Sequence, residues 1–258
     1  MKYFKNITST SADFYIYGEI VAEKEKDFWT GEESKTEVDV NEFKEELDSL
    51  ENTGITDFNI FINSPGGDVF ASSTMVSLLK RFRQNTNCKI HSYIDGLCAS
   101  AATYLAMVAD DVNVYENSIF MIHKPMTISI GNANDLQKDI DTLNTIENNM
   151  MIPMYMNKAK VNEDEIKKLI NDETWFNGNQ EDDLFIGNYF NVNYLEEEKQ
   201  VVACVNNELF KNYKKAPQKL KDLLKKNETK EEKSVNKKID YSDFEKRLKI
   251  LKGGKANA

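Results

Sequence analysis

The stretch FNIFINSPGGDV, residues 58–69, combines a strand, a tight turn and the start of a helix. Its first half is rich in Ile and Phe, which favour a strand. Asn-Ser-Pro-Gly-Gly favours a turn, because glycine permits positive φ and close backbone approach. Apolar residues at helical spacing then predict a helix over 69–83. A second strand over 89–94 and a helix over 100–109 repeat this order, so we predict α/β architecture with a largely parallel sheet.

A serine lies where the second strand passes into the second helix. In DGLCASAAT, residues 95–103, Asp95 and Gly96 are predicted to end the strand, and Ser100 stands among small residues. The small neighbours leave room for a peptide carbonyl to reach a hydroxyl nucleophile. Unpaired N–H groups at the start of a helix also favour a developing negative charge. The alternative is that Ser100 only caps the helix.

The glycine pair supplies candidate donors for an oxyanion. The backbone N–H of Gly67 can point at a substrate oxygen, and the N–H of Ala101 can supply a second hydrogen bond. In isolation, the motif is also typical of an ordinary strand–turn–helix connection.

Only two histidines are available as a general base of near-neutral pKa, His91 and His123. His123 follows a predicted strand over 119–122, in the run MIHKP at 121–125, whereas His91 lies inside its strand and is the poorer candidate. Cys98 is a possible competing nucleophile, but no second base accompanies it. We therefore interpret Cys98 as a small buried residue.

These three segments together resemble the ClpP-like serine peptidases of the ClpP/crotonase superfamily, over about residues 13–202. INSPGGDVFA, DGLCASAA and MIHKP carry the resemblance. It implies a ClpP/crotonase-like fold of repeated βαβ units with a projecting handle helix. It also implies that Ser100 is the nucleophile, that His123 is the base, and that Gly67 and Ala101 form the oxyanion hole.

The resemblance further implies an acid that completes a catalytic triad. The matching segment is NDETWFNG, residues 171–178, in which Glu173 occupies the position where the housekeeping enzymes carry an aspartate. Glutamate can orient an imidazole, although its longer side chain must be placed differently. Asp172, one residue out of register, is the alternative.

Charge divides the chain into two parts. The net charge is −10, yet residues 211–258 carry 16 basic and 7 acidic side chains, so residues 1–210 sum to −19. We predict a peptidase domain over 1–210 and a basic, partly helical or disordered tail over 211–258. We expect a hairpin over 201–210 at the end of the peptidase domain, and helices over 217–226 and 241–251 in the tail. Such an acidic domain argues against nucleic-acid binding.

Partners and cofactors follow from the same features. The resemblance implies that the handle, about residues 126–160, mediates contacts in a ring-forming homo-oligomer. Its apolar stretch MMIPMYM at 150–156 favours an interface over the core. Three cysteines without CxxC spacing predict no metal site and fit a reducing compartment. We expect no cofactor, no secretory leader and no membrane association.

Three details resemble the phage and prophage head maturation proteases: a charged insertion over 19–39, the motif DETW at 172–175, and the basic tail. This predicts cleavage of capsid, portal or scaffold proteins in the cytoplasm of a bacterial host or in a phage prohead. One alternative is a housekeeping ClpP subunit that serves an ATPase, which the short N-terminal segment disfavours. The other is a catalytically silent or acyl-CoA-handling crotonase-fold protein, which the Ser–His combination disfavours.

Overall fold

The computed structural model describes residues 3–24, 34, 36–196 and 213–218. The chain divides into two compact units, residues 1–217 and residues 218–258. That the first is a catalytic domain and the second an accessory tail stays a prediction. The hairpin expected over 201–210 and the helix expected over 241–251 lie outside the described residues, as does nearly all of the helix expected over 217–226.

Strands and helices alternate through the described chain. The strands are β1 (Phe4–Lys5), β2 (Ser11–Tyr17), β3 (Glu19–Val21), β4 (Glu37–Asp39), β5 (Asp57–Ser64), β6 (Lys89–Ala99), β7 (Asp111–Tyr115), β8 (Ile119–Ile122), β9 (Thr174–Asn177) and β10 (Asn193–Leu195). The helices are α1 (Val40–Asp48), α2 (Val69–Thr86), α3 (Ala102–Met107), α4 (Ala133–Ile146), α5 (Ile152–Met156), α6 (Glu163–Asn171) and α7 (Ile186–Tyr189).

Eight strands form one sheet in the order β1-β2-β5-β6-β7-β10, with β8 beside β6 and β9 beside β8. The pairs are parallel except β1 with β2 and β8 with β9. This mixed α/β architecture with a mostly parallel sheet confirms the predicted fold class. In such sheets the loops after the strands meet at one edge, where ligands bind.

The long strand β6 corrects the prediction that Asp95 and Gly96 end it. β6 continues to Ala99 and changes neighbours on the way: residues 91–94 pair with β7, and residues 97–99 pair with β8. A bulge interrupts its register with β5, and there the Leu97 N–H donates to the Asn63 side chain at 3.2 Å. That side-chain bond replaces a missing ladder bond, so the strand survives the irregularity.

The handle region also differs from expectation. α4 contains no buried residue, but Met151, Met154 and Tyr155 are buried in the core of the subunit. The interface predicted for residues 150–156 is therefore wrong, because a π-helical turn over Glu147–Met151 carries this end of the handle onto the body. The exposed apolar side chains of the handle lie earlier, at Met126, Ile128, Ile130, Leu136 and Ile140.

The insertion over 19–39 contains β3 and β4, which pair in parallel as a separate two-stranded sheet. β3 also bridges to the glycine pair through Ile20 and Gly67. Among the described residues, no helix has the length and apolar composition that a membrane crossing requires.

Burial of Met151 predicts the effect of a charge at that position. Met151 is 2% exposed, so Met151→Lys should lower the free energy of unfolding by about 3 kcal/mol or more, because it loses apolar packing and buries an ammonium group. Urea unfolding measures this loss. Ile7→Lys is the matched control outside the handle, since Ile7 is 44% exposed and its replacement should change the unfolding midpoint little. A smaller particle mass with unchanged stability in Met151→Lys would contradict the core assignment.

Candidate active site

A cleft of about 450 Å³ opens where β5, β6 and β8 end. Its lining includes residues that directly follow these strands, together with part of the insertion and of the C-terminal segment. They are Glu19, Gly67, Val69, Ser100, His123, Pro125, Met126, Thr127, Ile128 and Tyr213. The cleft therefore collects three of the predicted site residues at one edge of the sheet.

Ser100 occupies a strained turn between β6 and α3. Its φ is 53°, a left-handed conformation that is uncommon for a residue with a side chain. The Ser100 N–H donates to the Met121 carbonyl at 2.9 Å, and the Thr103 hydroxyl donates to the Ser100 carbonyl at 2.5 Å. The Ser72 hydroxyl donates to the Ala101 carbonyl at 2.6 Å. α3 consequently begins at Ala102, and Ser100 does not cap it.

The structure brings Ser100 and His123 into direct contact. The Ser100 Oγ and His123 Nε2 atoms are 2.7 Å apart, a hydrogen-bonding distance. The parallel register explains this, because Ala99 in β6 pairs with Met121 in β8. Ser100 directly follows the end of β6 and His123 directly follows the end of β8, so the two residues leave the sheet next to each other.

His123 is deeply buried beside Ser100. Removal from water lowers the pKa of His123 to about 4, and the negative charge of Glu173 opposes this shift. The Tyr213 ring covers the imidazole edge-on, with ring centroids 5.2 Å apart at 88°. The imidazole is therefore neutral at physiological pH, although its pKa is well below the near-neutral value expected from the sequence.

Gly66 allows the turn to approach the Ser100 segment closely. Its φ is 98°, and a Cβ there would lie 2.7 Å from the Ala99 carbonyl oxygen and 2.8 Å from the Ser100 Cβ. The same Cβ would lie 3.0 Å from the Ala101 nitrogen. No side chain fits at Gly66 without displacing the serine turn.

The two predicted oxyanion donors are available to a ligand. Within the part of the chain that the structure describes, the N–H groups of Gly67 and Ala101 donate no hydrogen bond. Gly67 lines the cleft, and Ala101 directly follows Ser100. Gly67 also packs against β3, since a Cβ there would lie 2.2 Å from the Ile20 carbonyl oxygen.

The two candidate acids have different surroundings. Asp172 is exposed at the end of α6, whereas Glu173 is partly buried and adopts a left-handed φ of 50°. Within the described residues, no hydrogen bond joins Glu173 to His123. Glu173 acts on His123 through its charge, which raises the pKa of the imidazole.

Hydrogen bonds to other groups engage the Glu173 carboxylate. The Lys214 N–H donates to Oε2 at 2.9 Å, and the Lys215 N–H donates to Oε1 at 2.6 Å. The Trp175 indole N–H donates to Oε1 at 3.3 Å. The carboxylate therefore joins the C-terminal segment to β9, which pairs with the strand that precedes His123.

The competing candidates lie elsewhere. Cys98 is fully buried, and burial raises the pKa of its thiol well above the ordinary value, which confirms it as a small buried residue. His91 lies near the start of β6, where its ring nitrogens contact Asp111 at 3.0 Å and Asp57 at 3.2 Å. Neither residue lines the cleft.

Tyr213 is a residue of the cleft that the sequence did not indicate. It is buried, and its hydroxyl donates to the Pro65 carbonyl at 2.6 Å. Its ring also contacts Trp175 edge-on, with centroids 5.7 Å apart. The only sequence signal was a single aromatic residue in the lysine-rich run KNYKK, which resembles a solvated linker.

A serine hydroxyl beside a buried neutral imidazole, with unengaged backbone N–H groups close by, defines a hydrolase of the acyl-transfer type. Residues 14–183 match the Clp protease family, and this match spans well over half of the chain. The protein belongs to the Clp protease family and is a serine-type peptidase. Members of the family typically form homo-oligomeric rings and bind protein substrates. A comparison with curated proteins found no match.

The low pKa of His123 predicts a flat pH profile. Only neutral imidazole accepts the Ser100 proton, and a group with a pKa of about 4 is already neutral above pH 5.5. Fluorophosphonate labelling of the full chain should therefore proceed at nearly the same rate at about pH 5.5 and 7.5. An ordinary histidine, with a pKa of about 6.5, would give a roughly tenfold difference between these values.

The groups that face His123 are consistent with the lowered pKa of its imidazole. They are Ser100, Glu173, Tyr213 and, across the cleft, Glu19, while the neighbouring Lys124 is paired with Glu147 at 2.9 Å. Burial lowers the pKa of His123 by more than the negative charge of Glu173 raises it. A roughly tenfold loss of labelling at the lower pH would contradict the desolvated state of the His123 imidazole.

Close packing at Gly66 predicts loss of the site in Gly66→Ala. The added methyl group would meet Ala99 and Ser100, so labelling of Ser100 should fall by at least about 100-fold, since small displacements of reacting groups are costly. Gly54→Ala is the matched control. Gly54 also has a positive φ, of 80°, but a Cβ there meets no atom within 4 Å. Equal labelling of Ser100 in the two variants would contradict the argument that close packing of Gly66 against the serine turn is required.

Proposed function

We propose that Ser100 is the nucleophile and His123 the general base of this peptidase. The 2.7 Å contact between Oγ and Nε2 carries the proposal, because it lets the imidazole take the proton as the hydroxyl attacks a peptide carbonyl. The attack forms a tetrahedral intermediate. Its collapse releases the amine, which takes the proton from His123, and leaves an acyl group on Ser100. Water then repeats the sequence and releases the acid.

Gly67 and Ala101 are proposed to donate the hydrogen bonds that stabilise the intermediate. Their N–H groups donate none within the described residues, and backbone donors of this kind need no reorganisation during the reaction. A single lost donor typically costs about 100- to 1,000-fold in rate. The proposed chemistry takes every group from the chain itself and needs no cofactor or metal.

Glu173, rather than Asp172, is proposed as the third member of the triad. Its partial burial and its influence on the pKa of His123 support this choice, whereas Asp172 is exposed at a helix end. A charged oxygen near the imidazole stabilises the imidazolium that forms during the reaction. The Glu173 carboxylate is engaged by the C-terminal segment and would have to turn to bond the imidazole directly.

Head maturation is the biological role that we propose, with capsid, portal or scaffold proteins as substrates in the cytoplasm of a bacterial host or in a prohead. The insertion, the DETW motif and the basic tail support it. We also propose that the subunits form a ring through the handle. Ile128 and Ile130 support this proposal, because they are 97% and 98% exposed on the segment that leads into α4.

Replacement of the two neighbouring nucleophile candidates tests the chemistry. Ser100→Ala should abolish peptide cleavage and fluorophosphonate labelling, since it removes the attacking oxygen, while the particle mass by light scattering stays unchanged. Cys98→Ala is the matched control and should retain most activity, because the buried thiol does not face the cleft. An active Ser100→Ala protein would reject the assignment.

The host strain that encodes the chain offers the test of the role. After phage induction, intact-mass analysis of head proteins should detect shortened capsid, portal or scaffold chains with the native enzyme and uncut chains with Ser100→Ala. Unchanged head proteins, together with degradation of casein only in the presence of a Clp ATPase, would favour a housekeeping subunit instead. Assembly defects without any cleavage would favour a structural protein.

A further inference from the structure

The C-terminal segment 213–216 lies beside the Ser–His pair and forms part of the cleft wall through Tyr213. Tyr213 is 6% exposed and Ala216 is 5% exposed, so both ends of this short segment are buried against the body. The Tyr213 ring covers the edge of His123, and its hydroxyl donates to the Pro65 carbonyl beside the glycine pair. Tyr213 and Ser100 both line the cleft.

The same segment engages the proposed acid. The backbone N–H groups of Lys214 and Lys215 both donate to Glu173, while the two lysine side chains stay exposed. Consecutive N–H groups on one carboxylate give charge-assisted bonds, which are stronger than neutral ones. The segment is therefore held by a buried aromatic ring and by its backbone, and its positive charges contribute little to the docking.

We propose that residues 213–216 form an inhibitory strap, a segment of the chain that blocks the catalytic cleft and must leave before a protein substrate can react. This proposal rests on the proposed roles of Ser100 and His123. The strap covers the base, lines the cleft together with the nucleophile and engages the acid. A substrate backbone needs the same space, because the acyl carbonyl must reach Ser100 between the Gly67 and Ala101 donors.

The contacts make the strap an inhibitor and not a substrate. The part of the strap that lines the cleft with Ser100 is Tyr213, whose phenol contains no bond that the serine can cleave. Because the strap belongs to the same chain, it competes at high effective concentration without a strong intrinsic affinity.

The site that holds Tyr213, formed by His123, Trp175 and the Pro65 carbonyl, is a subsite for a tyrosine side chain. Substrates that displace the strap should present an aromatic residue with a hydrogen-bond donor there.

Labelling rates of Ser100 in the full-length protein test the strap. Tyr213→Ala should react with a fluorophosphonate about 10- to 1,000-fold faster than the native chain, the reciprocal of an open state populated at about 0.1–10%. Tyr241→Ala, the same substitution further along the tail, is the matched control and should react at the native rate. The acid limb of the Tyr213→Ala profile should also move up toward pH 6.5, since its base regains water.

A second variant keeps Tyr213 and removes one backbone donor. Lys215→Pro deletes the N–H that lies 2.6 Å from Glu173, whereas Lys215→Ala deletes the side-chain charge and keeps this N–H. The proline variant should react faster than the alanine variant. This pair decides the question by itself if Tyr213→Ala fails to fold. In trans, the peptide NYKKAP (residues 212–217) should slow labelling of Tyr213→Ala, and the peptide NAKKAP should not.

The outcomes separate the strap from the proposed function. Equal labelling of Ser100 in the native chain, Tyr213→Ala and Lys215→Pro would overturn the strap and leave the nucleophile assignment intact. Correctly assembled protein that never reacts at Ser100, in any variant, would overturn the proposed function and the strap with it. Faster labelling in both strap variants, with inhibition by NYKKAP alone, would support both.

Discussion

The change of partner along β6 is the constraint on which the site depends. The strand pairs with β7 in its first half and with β8 in its second half, and the bulge opposite Asn63 permits the change. Because Ala99 and Met121 are paired in parallel, the residues that follow them emerge side by side. Without β8 next to the end of β6, Ser100 and His123 would leave the sheet at separate places, and no hydroxyl–imidazole contact would form.

Close packing around the end of β6 holds Ser100 in its turn. The left-handed turn at Ser100 needs the hydrogen bonds from Thr103 and Ser72 behind it and the missing side chain of Gly66 in front. Thr103 in turn contacts the buried hydroxyl of Tyr155 at 2.7 Å, so the buried end of the handle supports the nucleophile. Dense packing of this kind transmits displacements, and a ring contact that shifts the handle would therefore be felt at the serine.

Sequence reasoning succeeded where local pattern and chemistry agree. The strand–turn–helix order predicted the fold class, and the motifs around Ser100 and His123 singled them out as candidates before any contact was known.

Sequence reasoning failed where tertiary contacts override local preference. Asp95 and Gly96 favour a strand end, but a side-chain bond from Asn63 continues the strand. The run 150–156 favours an interface, but a π-helical turn buries it. Tyr213 belongs to no motif, and only folding brings it to the cleft.

Glu173 couples the position of the C-terminal segment to the basicity of His123. While the strap is docked, the carboxylate accepts its N–H bonds and reaches the imidazole only through charge. Release removes two donors from the carboxylate and returns water to the ring. Both changes favour the imidazolium and raise the pKa of His123 from about 4 toward the ordinary value. A base with a pKa nearer the working pH accepts the serine proton more readily. Release of the strap would therefore open the cleft and raise the pKa of His123 in a single step.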